Sequence, residues 1–334
     1  MKILITGGGT GGHLAIAKAL GQELKEMGVD LIYVGSLSGQ DREWFGKSEL
    51  FCERYFLPSQ GVVDKKGIAK VAALGQILKS SLSIMPKIKE ARAVISVGGF
   101  SAAPASFGAL LASRPLFIHE QNAHIGTLNR IFKPFAKRFF SSFEPPFDPY
   151  PIAKKFFQNA RPRQTIKSII FLGGSQGARA INEFALQVAP ILHQKGISII
   201  HQTGKSEYSK IRKAYADLGI EADIFAFSPS IDQKIAKADF AISRAGASTA
   251  WELAANGLPA LFVPYPFAAG DHQYHNARYF VDKGAALVER QSDLSPKSLH
   301  KIFSADITAM SHNLLSLARP DGARILAQEI LKSL

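Results

Sequence analysis

Two stretches of this chain open alike. Ile3-Leu4-Ile5-Thr6-Gly7-Gly8-Gly9-Thr10-Gly11 and Ile169-Ile170-Phe171-Leu172-Gly173-Gly174-Ser175-Gln176-Gly177 both run from bulky apolar residues into a glycine turn. An amphipathic stretch follows each, Ala15–Met27 and Ala180–His193. An unbroken apolar run of this length suits a strand covered on both faces, as in a parallel sheet. Similar runs recur at Leu31–Val34, Val94–Val97 and Leu116–His119, and later at Ile197–His201, Ile224–Phe227, Asp239–Ser243 and Ala260–Val263. Helical stretches lie between the later runs, at Tyr208–Leu218, Ser248–Asn256 and Tyr274–Lys283. Strands alternating with helices predict doubly wound α/β units. The 334 residues are enough for two of them. The segment Glu144–Thr165 carries Pro145, Pro146, Pro149, Pro151 and Pro162 and reads as their connection. The expected architecture is two Rossmann-like domains facing a central cleft, 1–150 and 151–320.

Composition narrows the class. Hydrophobic residues at 46% and charged residues at 20% exclude bulk disorder. The single cysteine, Cys52, excludes an internal disulfide and a cysteine metal cage, and fits a reducing compartment. The apolar run behind Met1-Lys2 is too short for a signal peptide. The one long uncharged window, Val94 to Ser113, holds Gly98, Gly99 and Pro104 and reads as strand, turn and helix rather than a membrane span. A net charge of +13 favours anionic partners. Between Gly61 and Val94 stand seven basic residues, Lys65, Lys66, Lys70, Lys79, Lys87, Lys89 and Arg92, against Asp64 and Glu90. Arg130, Lys133, Lys137 and Arg138 form a second cluster. Neither accompanies a nucleic-acid-binding module, so no nucleic-acid partner is expected.

Gly7-Gly8-Gly9-Thr10-Gly11-Gly12 satisfies G-x-G-x-x-G, whose glycines let backbone approach a diphosphate at a helix start. A nicotinamide site also wants an acid at the end of the second strand, and that strand ends Val34-Gly35-Ser36. Other strand ends carry polar clusters: Gly98-Gly99-Phe100-Ser101, His119-Glu120-Gln121-Asn122-Ala123-His124, Ser243-Arg244-Ala245-Gly246-Ala247-Ser248 with Glu252, and Asp271-His272-Gln273-Tyr274-His275-Asn276. In open α/β sheets ligands bind at this end. Many polar side chains beside glycine loops suit a nucleotide sugar.

In order along the chain, Gly8-Gly9-Thr10-Gly11-Gly12-His13, Ser96-Val97-Gly98-Gly99, His119-Glu120-Gln121-Asn122, Gly173-Gly174-Ser175-Gln176-Gly177 and Ser243-Arg244-Ala245-Gly246-Ala247 resemble the motifs of the MurG family. Its members transfer N-acetylglucosamine (GlcNAc) from UDP-GlcNAc to undecaprenyl-diphosphate-linked muramoyl-pentapeptide, turning lipid I into lipid II in peptidoglycan synthesis. The resemblance implies a GT-B fold, an acceptor-binding and membrane-facing first domain, a donor-binding second domain, and a final stretch, 321–334, whose helix crosses back to the first. It implies that Ser175, Gln176 and Gly177 hold the donor diphosphate and that Glu252 accepts hydrogen bonds from the ribose. Backbone near Phe227 and Ser228 would read uracil, and His272 and Gln273 would bind sugar hydroxyls. Thr10, Gly11, Gly12 and Asn122 would reach the sugar and diphosphate from the other domain. Two departures stand out. The family proline after the first-loop histidine is missing from Leu14-Ala15-Ile16-Ala17. The junction motif Gly-Asn-Pro-Val-Arg is replaced by Tyr150-Pro151-Ile152-Ala153, with Lys154 or Lys155 as a substitute for its arginine.

A β-linkage made from an α-linked donor is a single inverting displacement. It needs a base on the acceptor 4-hydroxyl and stabilisation of the leaving diphosphate. His13, at the mouth of the first loop, is the expected base, with Glu120 and His124 next in line. No protein metal site is expected: His272 and His275 beside Asp271 read as sugar contact and helix start, and magnesium carried by the diphosphate stays open. The anionic surface of the inner membrane is the remaining expected partner, met on the cytoplasmic face through the basic stretch Lys65–Arg92. A UDP-GlcNAc 2-epimerase and a non-catalytic nucleotide-sugar-binding subunit remain open as alternatives at this level.

Overall fold

The computed structural model describes residues 1–59, 67–174 and 177–334. Lys65, Lys66, Ser175 and Gln176, and the side chains of Ile68 and Lys70, lie outside the described residues. The chain forms two compact units, Met1–Ala153 with Asp321–Leu334, and Lys154–Pro320. In the first, β1 (Lys2–Thr6), β2 (Asp30–Ser36), β3 (Glu53–Leu57), β4 (Val94–Ser96), β5 (Leu116–Glu120) and β6 (Arg138–Ser141) form a parallel sheet in the order β3-β2-β1-β4-β5-β6. In the second, β7 (Ser168–Leu172), β8 (Ser198–Gln202), β9 (Asp223–Phe225), β10 (Phe240–Ser243), β11 (Ala260–Phe262) and β12 (Leu287–Val288) follow the order β12-β11-β10-β7-β8-β9. Each sheet is wound outward for three strands and then restarted beside its first. The switch points therefore fall between β1 and β4 and between β7 and β10, where such sheets bind ligands.

The central strands are dark to solvent. Ile3, Leu4 and Ile5 of β1 and Ile169, Ile170 and Phe171 of β7 are all 0% exposed. Helices supply the covering faces. In Arg179–Gln194, Ile181, Phe184, Ala185, Val188, Ala189 and Leu192 recur every three or four residues and pack on Ile169, Phe171 and Ile199. In the first unit, Ile84 and Ile88 of the helix Gly67–Glu90 and Phe132 of Thr127–Phe132 join one cluster with Leu4, Val94 and Ile118.

The edge strands β3, β6 and β12 go beyond the sequence reading. β3 is Glu-Arg-Tyr-Phe-Leu and is only half-buried, so it carries no continuous apolar run. Its Glu53 pairs with Lys2 at 3.0 Å and Lys87 at 2.7 Å. Charge on an edge is a common guard against pairing with other chains.

The proline-bearing segment is not all connection. The units divide between Ala153 and Lys154, and the residues after the division belong to the second unit. Arg163 is fully buried there. Its guanidinium donates to the carbonyls of Arg161 (2.7 Å), Ala238 (3.3 Å) and Ile235 (3.4 Å), to the Asn256 carbonyl, and to Asn256 Oδ1 at 2.5 Å. It thus closes the C-terminal ends of Ile231–Lys237 and Ala247–Asn256, where a cation meets the negative end of the helix dipole. Burial still pulls its pKa down to about 9.

The last helix, Gly322–Lys332, is part of the first unit. Its Leu326 and Ile330 are buried, Arg138 bonds Glu329 at 2.6 Å, and Arg92 donates to the Leu334 carbonyl at 3.1 Å.

Candidate functional site

The first unit brings three strand-end loops together. The loop after β1 lies against the loop after β4, with Gly8 N–H donating to the Gly98 carbonyl at 3.2 Å. A Cβ on Gly99 would stand 2.3 Å from the Gly8 carbonyl oxygen, so only glycine permits this approach. Thr10 is the residue before the helix Gly11–Glu26, yet its hydroxyl caps no backbone N–H. It bonds His13 Nδ1 at 3.0 Å instead. Gln121, from the loop after β5, places its amide nitrogen 3.0 Å from Nε2 and 3.3 Å from Nδ1 of the same ring. A nitrogen nearly equidistant from both lies against the ring, not in line with either lone pair.

Glu120, next in line as base after His13, is built into the loop after β5. It is 2% exposed and accepts from Asn122 N–H, Gly126 N–H and Asn129 Nδ2, each at 2.9 Å. Its carboxylate ties together the loop that presents Gln121 and Asn122. His124 stands beside Arg130 at 3.3 Å. His119 is buried, both of its ring nitrogens lack a hydrogen-bond partner among the described residues, and burial, with His13 nearby, pulls its pKa down to about 3.

The second unit repeats the plan at β7 and β10. Ser175 and Gln176 lie outside the described residues; Gly177, at φ +79°, donates to the Gly174 carbonyl at 3.0 Å. The helices that follow the two loops, Arg179–Gln194 and Ala247–Asn256, have no acid in the first turn, which leaves their positive ends suited to an anion. Behind the first loop lies a buried network that the sequence reading missed. Asn182 donates to the Thr203 carbonyl at 3.1 Å and to Glu207 at 3.0 Å, while its Oδ1 meets His201 Nε2 at 3.0 Å. His201 Nδ1 meets Tyr215 Oη at 3.0 Å, and burial pulls its pKa down to about 3.

The loop after β10 is held from the side by one helix, His272–Asp282. Gln273 Oε1 accepts Ala245 N–H at 3.2 Å and Tyr265 N–H at 3.0 Å, and Asn276 donates to the Ala245 carbonyl at 3.1 Å. Gln273 can therefore offer a ligand its amide N–H groups. His272 Nδ1–H donates to the Ala269 carbonyl at 2.9 Å, which leaves Nε2 as an acceptor. Arg244 is turned inward, donating to the Val263 and Pro264 carbonyls at 3.0 and 3.1 Å and to Gln291 at 2.6 Å. Asp271 accepts a two-pronged pair from Arg290 at 2.7 and 2.9 Å. That pairing holds its carboxyl below its ordinary value and braces a backbone at φ +52°. Among the described residues no cluster of three His, Cys, Asp or Glu side chains has metal-holding geometry.

Glu252 is half-buried and makes no hydrogen bond among the described residues. Burial pushes its carboxyl up to about 8, Lys155 opposes the shift and Asp232 adds to it. Lys155 itself pairs with Asp232 at 2.7 Å and donates to the Pro229 carbonyl at 2.9 Å, beside the loop that holds Phe227 and Ser228. Lys155, one of the two lysines considered for the missing junction arginine, is thus tied to this corner.

Two family models cover the chain. The glycosyltransferase family 28 N-terminal domain matches residues 3–141 and the family 28 C-terminal domain matches residues 168–326. The chain is 52% identical over 334 residues to a UDP-N-acetylglucosamine–N-acetylmuramyl-(pentapeptide) pyrophosphoryl-undecaprenol N-acetylglucosamine transferase of Nitratiruptor sp., covering 99% of both chains. It is 51% identical to the protein of the same name in Campylobacter fetus, again over 99% of both. The crystal structure of Acinetobacter baumannii MurG superposes with a TM-score of 0.80 at 29% identity, over 99% of both chains. The chain therefore belongs to the MurG family, the N-acetylglucosaminyltransferases of glycosyltransferase family 28 that form lipid II.

Proposed function

We propose that this protein transfers GlcNAc from UDP-GlcNAc to the muramoyl 4-hydroxyl of lipid I with inversion, its second unit binding the donor and its first the acceptor. Glu252 carries the donor assignment. A half-buried carboxylate with no internal hydrogen bond is costly unless a ligand supplies donors, and a ribose diol supplies two. His272 and Gln273 add an acceptor and a donor for sugar hydroxyls, and Phe227 and Ser228 frame the base. Ser175, Gln176 and Gly177 take the diphosphate at the start of Arg179–Gln194. The positive helix end stabilises the charge that develops on it. Thr10, Gly11, Gly12 and Asn122 contact sugar and diphosphate from the first unit. His13 accepts the hydroxyl proton. No protein-held metal is needed for these roles, and a magnesium ion carried by the diphosphate would add further charge neutralisation.

The acceptor carries a lipid, so the first unit works at the cytoplasmic face of the inner membrane as a peripheral protein. Among the described residues no helix is long and apolar enough to cross a membrane. A solvent-facing stripe supports the peripheral reading: Val71, Leu74, Leu78 and Leu82 of Gly67–Glu90 are 70%, 52%, 45% and 57% exposed.

Donor binding is tested by thermal shift. At 100 times its dissociation constant UDP-GlcNAc should stabilise the protein by about 2.7 kcal/mol, and NAD should not. A shift with NAD and none with uridine nucleotides would overturn the assignment. Turnover with lipid I separates the transferase from a protein that only binds the nucleotide sugar.

A further inference from the structure

The first glycine loop already has an anion in place. Asp41, five residues beyond the end of β2, is 0% exposed. Its Oδ2 accepts Gly9 N–H at 2.7 Å, and its Oδ1 accepts Ser36 N–H at 3.0 Å. The Tyr33 hydroxyl lies 3.0 Å from Oδ1 and 2.9 Å from the Gly7 carbonyl oxygen, sharing its one proton between them. No lysine or arginine pairs with this carboxylate among the described residues. Space around it is closed: a Cβ on Gly8, Gly35 or Gly39 would come within 2.4, 2.5 and 2.7 Å of its oxygens. Phe45 and Phe51 seal the other side, their rings 4.6 and 5.1 Å from that of Tyr33.

A glycine loop of this sequence ordinarily turns its N–H groups to a phosphate. Here the Gly9 N–H is spent on a side chain of the same unit. The next residue is Thr10, whose hydroxyl holds His13. We propose that Asp41 is a positioning residue for glycosyl transfer: its carboxylate occupies from within the anion position of the first glycine loop, and so fixes the segment from which Thr10 and His13 project. The inference rests on the transferase reading above and goes beyond it, because it gives the first loop a role that involves no donor phosphate at Gly9.

Asp41→Asn keeps the shape but sets an amide N–H against a donor N–H or O–H. Tyr33→Phe leaves the carboxylate and its two backbone bonds and removes only the hydroxyl with the proton it shares. Displacing a catalytic group by an ångström can cost up to about 100-fold in rate, so kcat should fall at least about tenfold in Asp41→Asn and less in Tyr33→Phe. The KM for UDP-GlcNAc should rise by a smaller factor than kcat falls in both, since most of the proposed donor contacts lie in the second unit. The ¹⁵N signals of the His13 ring should move in both variants, while those of buried His119 stay, showing that the unit is folded. A kcat at the wild-type value in Asp41→Asn, or a KM that rises as much as kcat falls, would overturn the proposal. Should Asp41→Asn not fold, an unmoved His13 signal in Tyr33→Phe overturns it as well. Wild-type protein that neither binds UDP-GlcNAc nor turns over lipid I would instead sink the transferase reading itself.

Discussion

The amide nitrogen of Gln121 rests against the imidazole of His13, 3.0 Å from Nε2 and 3.3 Å from Nδ1. With Thr10 on Nδ1 at 3.0 Å, the ring plane is set by two side chains from two different loops. A base whose orientation is fixed before substrate arrives loses less on reaching the transition state. His13→Ala should lower kcat by at least about 100-fold with little change in UDP-GlcNAc affinity. Gln121→Glu places a carboxylate against the ring and favours imidazolium. The acidic limb of the pH–rate profile should then move up by about one unit or more. Steady-state kinetics from pH 5 to 9 check both. Normal turnover at saturation in His13→Ala would make it a binding residue.

With Glu252 as the proposed ribose acceptor, donor affinity should depend on pH. The Glu252 carboxyl is pushed up to about 8 by burial, so near neutrality the free protein holds it mostly protonated. Ribose hydroxyls bond best to the carboxylate, so binding must release a proton. Affinity for UDP-GlcNAc, whose diphosphate diester does not titrate here, should rise as pH rises toward 8, by up to about tenfold per unit, and level off above. Calorimetry in buffers of different ionisation heat should detect the released proton. Glu252→Gln should bind more weakly and without this slope. A pH-independent affinity in the wild type would remove Glu252 from the ribose.

How far the sequence could be read depends on what each residue needed to make itself visible. The central strands and their helices announce themselves by unbroken or periodic apolar runs, because burial on one or both faces selects such residues. β3, β6 and β12 are sheet edges, where half the surface is wet and the pattern dissolves into Glu53, Arg54 and Arg138. Site residues at strand ends could be found because the topology sends every loop of that kind to one end of its sheet. Asp41 could not. An acid was sought where β2 stops and was absent, yet the short helix Asp41–Phe45 folds back to bring one to the glycine loop. Arg163 and the pair of Asn182 with His201 are also invisible in one dimension, since their partners stand 93 and 19 residues away.

Each unit carries one buried neutral imidazole, His119 in the first and His201 in the second. Both have pKa values drawn down to about 3 by burial, against an ordinary value near 6.5. The unfolded chain therefore takes up protons that the native state refuses as pH falls through about 6.5 toward 3. Stability from these groups is complete above 6.5 and is lost progressively below it, by up to about 1.4 kcal/mol per pH unit for each ring. Urea midpoints measured from pH 7.5 to 4.5 should decline on the acid side. His119→Met, which abandons no hydrogen bond of that ring among the described residues, should flatten the decline. A midpoint constant from 6.5 to 4.5 would contradict the burial of both rings.

Membrane attachment should depend on the apolar stripe and on only some of the nearby charge. Lys87 is already paired with Glu53 at 2.7 Å and Glu90 at 3.1 Å, and Arg138 with Glu329 and Asp148 at 2.6 and 3.2 Å. These residues brace the fold and have little charge left for lipid. Lys79 and Lys89 are exposed on the same helix as the stripe, and no ion pair holds them among the described residues. Near an anionic surface a basic residue contributes about 1 kcal/mol, which is roughly a fivefold change in binding. Lys79→Ser with Lys89→Ser should therefore weaken binding to phosphatidylglycerol vesicles about 30-fold at low salt and less at high salt. Lys87→Ser should change it little. Leu74→Gln with Leu78→Gln should weaken binding at every salt concentration, because the apolar contribution is not screened. Vesicle sedimentation measures all three. If the lysine and leucine variants bind as wild type does, the contact moves to the exposed Ile131 and Phe135 beside Lys137.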